Sequence, residues 1–155
     1  MFYTFVMFKP DAIERNLIPS ILQRFNDKGL KIEYIDFVKV DKEIMAKHYK
    51  SKIEQIGMSF YSKIEKSFEG KWVAPVILSS CDSNIINYVK SLIGETFPED
   101  ANMGTIRGDF GIDTKKKAEK EKRCCNNIIH ASDSKVAYYN EIKMWLNENI
   151  IKNFQ

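Results

Sequence analysis

The chain opens on an apolar run, Met1-Phe2-Tyr3-Thr4-Phe5-Val6-Met7-Phe8, cut short by Lys9-Pro10-Asp11. Aromatic and aliphatic residues bounded by a proline suit a buried strand over 2–8 that ends at Lys9. The run has no basic lead-in and no small-residue cleavage site, so it reads as a strand and not as a signal peptide. Leu17-Ile18-Pro19 opens a helix with proline in its first turn. Ile21, Leu22 and Phe25 form its apolar face, and Gly29 lies just past its end. Leu30 to Val40 alternates apolar with polar, as a half-buried strand does. Asp41 caps a helix carrying Ile44, Met45, His48 and Tyr49. A second helical segment, about Ser59 to Phe68, sets Phe60, Ile64 and Phe68 in register.

Val73 to Leu78 predicts a third strand, with Pro75 better suited to an edge or bulge than to mid-sheet. Ser83 to Ile93 is amphipathic and stops at Gly94. Thr96 to Phe110 is a long connection, a length that in compact domains is usually functional. Ile128-Ile129 is a short last strand. Ser134 to Asn147 closes as a helix whose apolar positions include Val136, Ala137, Ile142 and Trp145. This order predicts an α+β fold, an antiparallel sheet with helices on one face, of split β-α-β kind.

Composition narrows the picture without changing it. A chain of 155 residues, 44% hydrophobic and 29% charged, is one globular domain with a real core. No apolar run approaches membrane-spanning length, so no membrane partner is expected. The three cysteines, Cys81, Cys124 and Cys125, are odd in number and lack metal-ligand spacing, which predicts a reducing, cytoplasmic setting. The net charge of +3 comes largely from Lys115 to Arg123. A solvated, mobile or loosely helical loop accounts for that run, and a nucleic-acid partner is the secondary expectation.

Chemistry concentrates around Asn127-Ile128-Ile129-His130-Ala131-Ser132-Asp133-Ser134. His130, one of two histidines, stands after an apolar pair and before a helix-start signal. In an extended segment Ser132 shares its side. Glu141 has Ala137, Tyr138, Met144 and Trp145 at helical spacings, so it sits on an apolar stripe and needs a partner. A carboxylate on one imidazole nitrogen would fix the tautomer and aim the other. A snorkelling glutamate or a lysine salt bridge is the even alternative. Lys9 emerges at a strand end. Arg107 lies between Gly104 and Gly108, suited to a bidentate grip on phosphate or, equally, to pairing with Asp109. The phosphate loop pattern Gly-x-x-x-x-Gly-Lys-Ser/Thr is absent.

Lys9-Pro10-Asp11, Gly94-Glu95-Thr96, Gly104 to Phe110 and Asn127 to Ser134, in that order, strongly resemble the nucleoside diphosphate kinase family across the whole chain. The resemblance implies a ferredoxin-like α/β sandwich over residues 1–155, with a basic insertion at about 112–126. It implies a ping-pong reaction that moves the γ-phosphate of a nucleoside triphosphate through phosphorylated histidine to a nucleoside diphosphate. By match, His130 is the nucleophile and Glu141 orients it. Lys9, Tyr49, Arg107 and Ser132 surround the phosphoryl group. Thr96 and Asn127 hold phosphate and sugar, and Phe60 stacks on the base with Ile64 beside it. Lys90 stands where the family has arginine, so a bidentate phosphate contact is lost there. Magnesium rides on the nucleotide phosphates with no all-protein cage. A homo-oligomer is implied, with a hexamer favoured. A binding protein using the basic run and a histidine-based hydrolase are the other two classes. The intact Lys9, Arg107, His130, Ser132 and Glu141 argue against the first, and no water-activating constellation supports the second.

Overall fold

A computed structural model describes residues 1–155. Its sheet runs in the order β2 (Lys31–Ile35), β4 (Trp72–Ser80), β1 (Phe2–Phe8), β5 (Ile129–Ala131), with β3 (Val38–Lys39) also paired to β4. Every pairing is antiparallel. The two inner strands are apolar on both faces. In β1, Val6 and Phe8 point into one core and Phe5 and Met7 into the other. That is why the opening run shows no polar alternation.

Helices therefore cover both faces, not the one face the element order suggested. On the first face lie α1 (Pro10–Glu14), α2 (Ile18–Asp27), α6 (Ile85–Ile93) and α7 (Ile106–Phe110). On the second lie α3 (Lys42–His48), α5 (Met58–Phe68), α9 (Lys135–Trp145) and α10 (Glu148–Ile151). Ile21 and Phe25 of α2 and Ile64 and Phe68 of α5 are fully or almost fully buried, one pair in each core. An antiparallel sheet in this strand order with helices packed on it is the ferredoxin-like sandwich.

Three expectations are corrected. Leu30 to Val40 is not one strand: a register shift between Ile32 and Tyr34 and a break at 36–37 divide it into β2 and β3. Pro75 lies in an inner strand, opposite Met7. Its carbonyl accepts from the Asp36 amide at 3.1 Å. In an antiparallel strand a residue's N–H and C=O face the same neighbour. The missing donor of Pro75 thus faces the break between β2 and β3, where the ladder is interrupted. Val136, taken as apolar lining of α9, is 70% exposed; Tyr138, Ile142 and Trp145 form the buried stripe.

The segment that carries the basic run is ordered. Thr114 caps α8 (Lys115–Lys120), its hydroxyl accepting from the Lys117 amide at 3.1 Å. The segment docks on α5, where Lys66 donates to the Glu121 carbonyl and the Cys124 amide donates to Ser67 Oγ. A further short helix, α4 (Lys50–Ile56), joins α3 to α5 and buries no residue.

Candidate active site

The end of β1 and the start of β5 bring the functional side chains together. Antiparallel pairing sets Met7 opposite His130, and the Lys9 amide extends the ladder to the Ile128 carbonyl at 2.8 Å. Ile128 has φ +77°, a conformation that a β-branched residue adopts only at a cost of about 1–3 kcal/mol. Two bonds hold it there: the one from Lys9, and its own amide donating to buried Asp11 Oδ2 at 3.0 Å. The twist delivers Ile129 to the core and His130 to the wall of a cavity of about 1270 Å³.

Ser134 begins α9, accepting from the Ala137 amide at 3.1 Å, and the helix carries Glu141 back over β5. Glu141 Oε1 lies 2.6 Å from His130 Nε2, and Oε2 accepts from the Ser132 hydroxyl. An ionised carboxylate can only accept, so Nε2 carries the ring proton and Nδ1 carries the lone pair. The alternatives of a surface glutamate or a lysine partner are thereby set aside. Ser132 stands differently from its expected place. It is fully buried and off the cavity wall, its hydroxyl given to Glu141, so it reaches His130 only through that carboxylate.

Lys9 is buried, and its ammonium donates to the Cys125 carbonyl at 2.9 Å and to Asn127 Oδ1 at 2.8 Å. Burial lowers its pKa, with the Asp11 carboxylate pulling the other way. Asn127 Nδ2 in turn donates to the Thr96 carbonyl at 2.8 Å. Thr105 caps α7, accepting from the Gly108 amide, and so aims Arg107 inward. The Arg107 guanidinium spans four carbonyls, those of Asn127, Gly94, Glu95 and Ile129. Asp109 takes no part, being paired with Arg24 at 2.6 Å. Burial lowers the Arg107 pKa too. Two desolvated cations beside an imidazole form a strong trap for polyvalent anions.

On the facing wall, Tyr49 stands edge-on to His130 and to Phe60, at centroid distances of 6.1 and 6.0 Å. Burial raises its pKa. Phe60 lines the cavity, but Ile64 does not: it is fully buried in the core behind, one helical turn further along α5. Lys90 and Asp133 pair across the mouth at 2.9 Å, both partly exposed, so the contact is weak.

Sequence reasoning missed His48, whose only signal was its place beside Tyr49 on an apolar helix face. Its ring meets that of His130 edge-on at 4.4 Å. Trp145 Nε1 donates to its Nδ1 at 3.2 Å, so Nε2 bears the proton, buried and without a partner. Burial first, and then His130, hold its pKa well below the ordinary value. His48, His130 and Glu141 place ligand-type atoms within 4.8 Å of one another, but both Glu141 oxygens are already committed.

A ferredoxin-like sandwich with an imidazole, one buried and one half-buried cation and an aromatic wall around one cavity is suited to phosphoryl transfer. The family profile described as nucleoside diphosphate kinase matches residues 3–151. The chain is 39% identical over 149 residues to the nucleoside diphosphate kinase of Methanocaldococcus jannaschii, covering 96% of this chain and 95% of that one. It is 36% identical over 147 residues to that of Encephalitozoon cuniculi, at 95% and 90% coverage. A solved Borrelia burgdorferi nucleoside diphosphate kinase, a transition-state mimic with bound vanadate and ADP, superposes with a TM-score of 0.86. It is 30% identical and covers 95% of this chain and 88% of that one. The chain belongs to the nucleoside diphosphate kinase family. Its reaction is the ping-pong transfer of a γ-phosphate from nucleoside triphosphate to nucleoside diphosphate.

Proposed function

We propose that His130 is the residue phosphorylated in that exchange, at Nδ1. The observation that carries this is Glu141 on Nε2: it fixes the lone pair on the other nitrogen of a ring that lines the cavity. Nδ1 attacks the γ-phosphorus as the bond to the bridging oxygen breaks, and the nucleoside diphosphate leaves with that oxygen. A second diphosphate then attacks the phosphohistidine through a terminal β-oxygen and restores the ring. Ring orientation through Glu141 is the contribution of Ser132. Lys9 and Arg107 stabilise charge on the equatorial oxygens, and removing either costs on the order of a hundred-fold in rate. The Tyr49 hydroxyl joins them.

Asn127 and Thr96 hold sugar and phosphate, and Phe60 stacks on the base, which favours broad base tolerance because stacking reads no hydrogen-bond pattern. Lys90 gives the phosphates a point charge at the mouth. Magnesium enters as part of the nucleotide substrate. The cavity supports this reading: of its three carboxylates Glu141 is taken up by His130 and Asp133 is paired with Lys90, which leaves Glu95 alone, too few for an all-protein cage. Residues 1–155 act as one unit with a basic insertion at about 112–126, in a reducing cytoplasm that suits three free thiols. A homo-oligomer, with six subunits favoured, completes the proposal. Nucleic-acid binding through the insertion stays secondary, because Arg123 is committed to Asp113 and Glu121.

Incubation with γ-labelled ATP and magnesium, without acceptor, is expected to leave acid-labile, alkali-stable label on the protein. GDP should chase it, and His130→Ala should carry none. Label persisting on His130→Ala, or absent from the wild type while nucleotide still binds, overturns the assignment.

A further inference from the structure

The insertion contains a buried ion pair with no part in the chemistry described so far. Arg123 grips Asp113 with both arms, Nη1 to Oδ2 at 2.6 Å and Nη2 to Oδ1 at 3.0 Å. The two side chains are 13% and 5% exposed. Asp113 Oδ2 also accepts from the Asn126 amide at 2.8 Å, and Arg123 Nη1 also donates to the Cys124 carbonyl at 3.0 Å. One carboxylate and one guanidinium therefore fix the backbone on either side of Cys125. Burial pushes the Asp113 carboxyl up, but the hydrogen bonds from Arg123 and from backbone amides outweigh it and hold the group below the usual carboxylate range.

Cys125 is where the knot meets the active site. Its carbonyl accepts from Lys9 Nζ at 2.9 Å, and the next side chain but one, Asn127, accepts from the same ammonium at 2.8 Å. An ammonium has three donors. With two of them fixed on acceptors in the 125–127 segment, the direction of the third is fixed as well. If the segment shifts, the remaining N–H swings away from the phosphoryl group.

We infer that Asp113, clamped by Arg123, is a positioning residue for phosphoryl transfer: it sets the segment that orients the free N–H of Lys9. The insertion thus acts as a buttress for the phosphate site. This rests on the reading of Lys9 as a phosphate ligand, and a double-mutant cycle separates the two.

The quantity to measure is the single-turnover rate of phosphoenzyme formation with magnesium-ATP at saturation. Lys9→Ala should lower it on the order of a hundred-fold. Asp113→Asn, which keeps the shape and loses the charge, should lower it on the order of tenfold. In the Lys9→Ala background, Asp113→Asn should then cost roughly twofold at most, because the two act as one unit. A merely structural role would cost the same factor in both backgrounds. Arg123→Lys, which keeps the charge and loses the fork, should fall between wild type and Asp113→Asn, and it replaces Asp113→Asn in the cycle should that variant not fold. Lys120→Ala, on the exposed side of α8, should leave the rate unchanged. A loss from Lys9→Ala with none from Asp113→Asn, or equal losses in both backgrounds, overturns this inference alone. No loss from Lys9→Ala overturns the reading of the site, and this inference falls with it.

Discussion

Glu141 shows how one side chain can organise two others. One oxygen serves the His130 ring and the other serves Ser132, so the carboxylate cannot rotate without breaking a buried hydrogen bond. His48 makes the opposite kind of neighbour, a ring kept neutral by burial. In the unfolded chain a histidine protonates near pH 6.5. Below that pH the unfolded state binds a proton that the folded state refuses. Stability is therefore full above about pH 6.5 and is lost as pH falls toward the folded pKa. The slope approaches roughly 1.4 kcal/mol per pH unit. Urea unfolding between about pH 7 and pH 5 should show this loss, and His48→Gln should flatten it. Equal slopes in the two proteins would rule the explanation out.

At the scale of elements, α7 is a short helix in a tight setting. A Cβ on Gly108 would stand 2.0 Å from the Asn102 carbonyl oxygen, a backbone atom with nowhere to go. Gly108→Ala should cost about 1–3 kcal/mol. Because α7 carries Arg107, the variant should also raise KM for nucleotide; an unchanged melting temperature and KM would refute the packing argument. The long elements were legible in the sequence, β1 as a continuous apolar run and α2, α6 and α9 because each has a periodic apolar face, and all four lie close to where the pattern placed them. The split of β2 from β3 was not, since a bulge leaves no mark in an alternating run. Nor were α1, α4 and α10, which are one or two turns long and held by neighbours more than by their own pattern. In the site, the blocks around Lys9, Arg107 and His130 carried the family resemblance. The knot from Asp113 to Arg123 became visible only when the chain closed on itself. Ile64, set beside Phe60 by the family match, lies one turn further along α5 and faces the core.

For the whole molecule, two cores share one sheet, and the sheet's outer edge is unfinished. β2 and β3 pair only with β4, and Ile35 and Phe37 on that edge are 37% and 50% exposed, while Trp72, opposite Lys39 of β3, is 49% exposed. An open, apolar strand edge is a template for pairing with another chain. Sedimentation at micromolar concentration should therefore find a homo-oligomer, with six times the monomer mass favoured. A single monomeric species would leave that edge without a role. The strand order has a different consequence during synthesis. β1 is made before every strand it pairs with, and its partners β4 and β5 follow only at residues 72–80 and 129–131. At cellular elongation rates, apolar Phe2–Phe8 waits on the order of ten seconds for its first neighbour and about as long again for the second. A nascent chain stalled in that interval displays a sticky, unpaired segment, so the ribosome-bound intermediate of this protein is a natural client for chaperones.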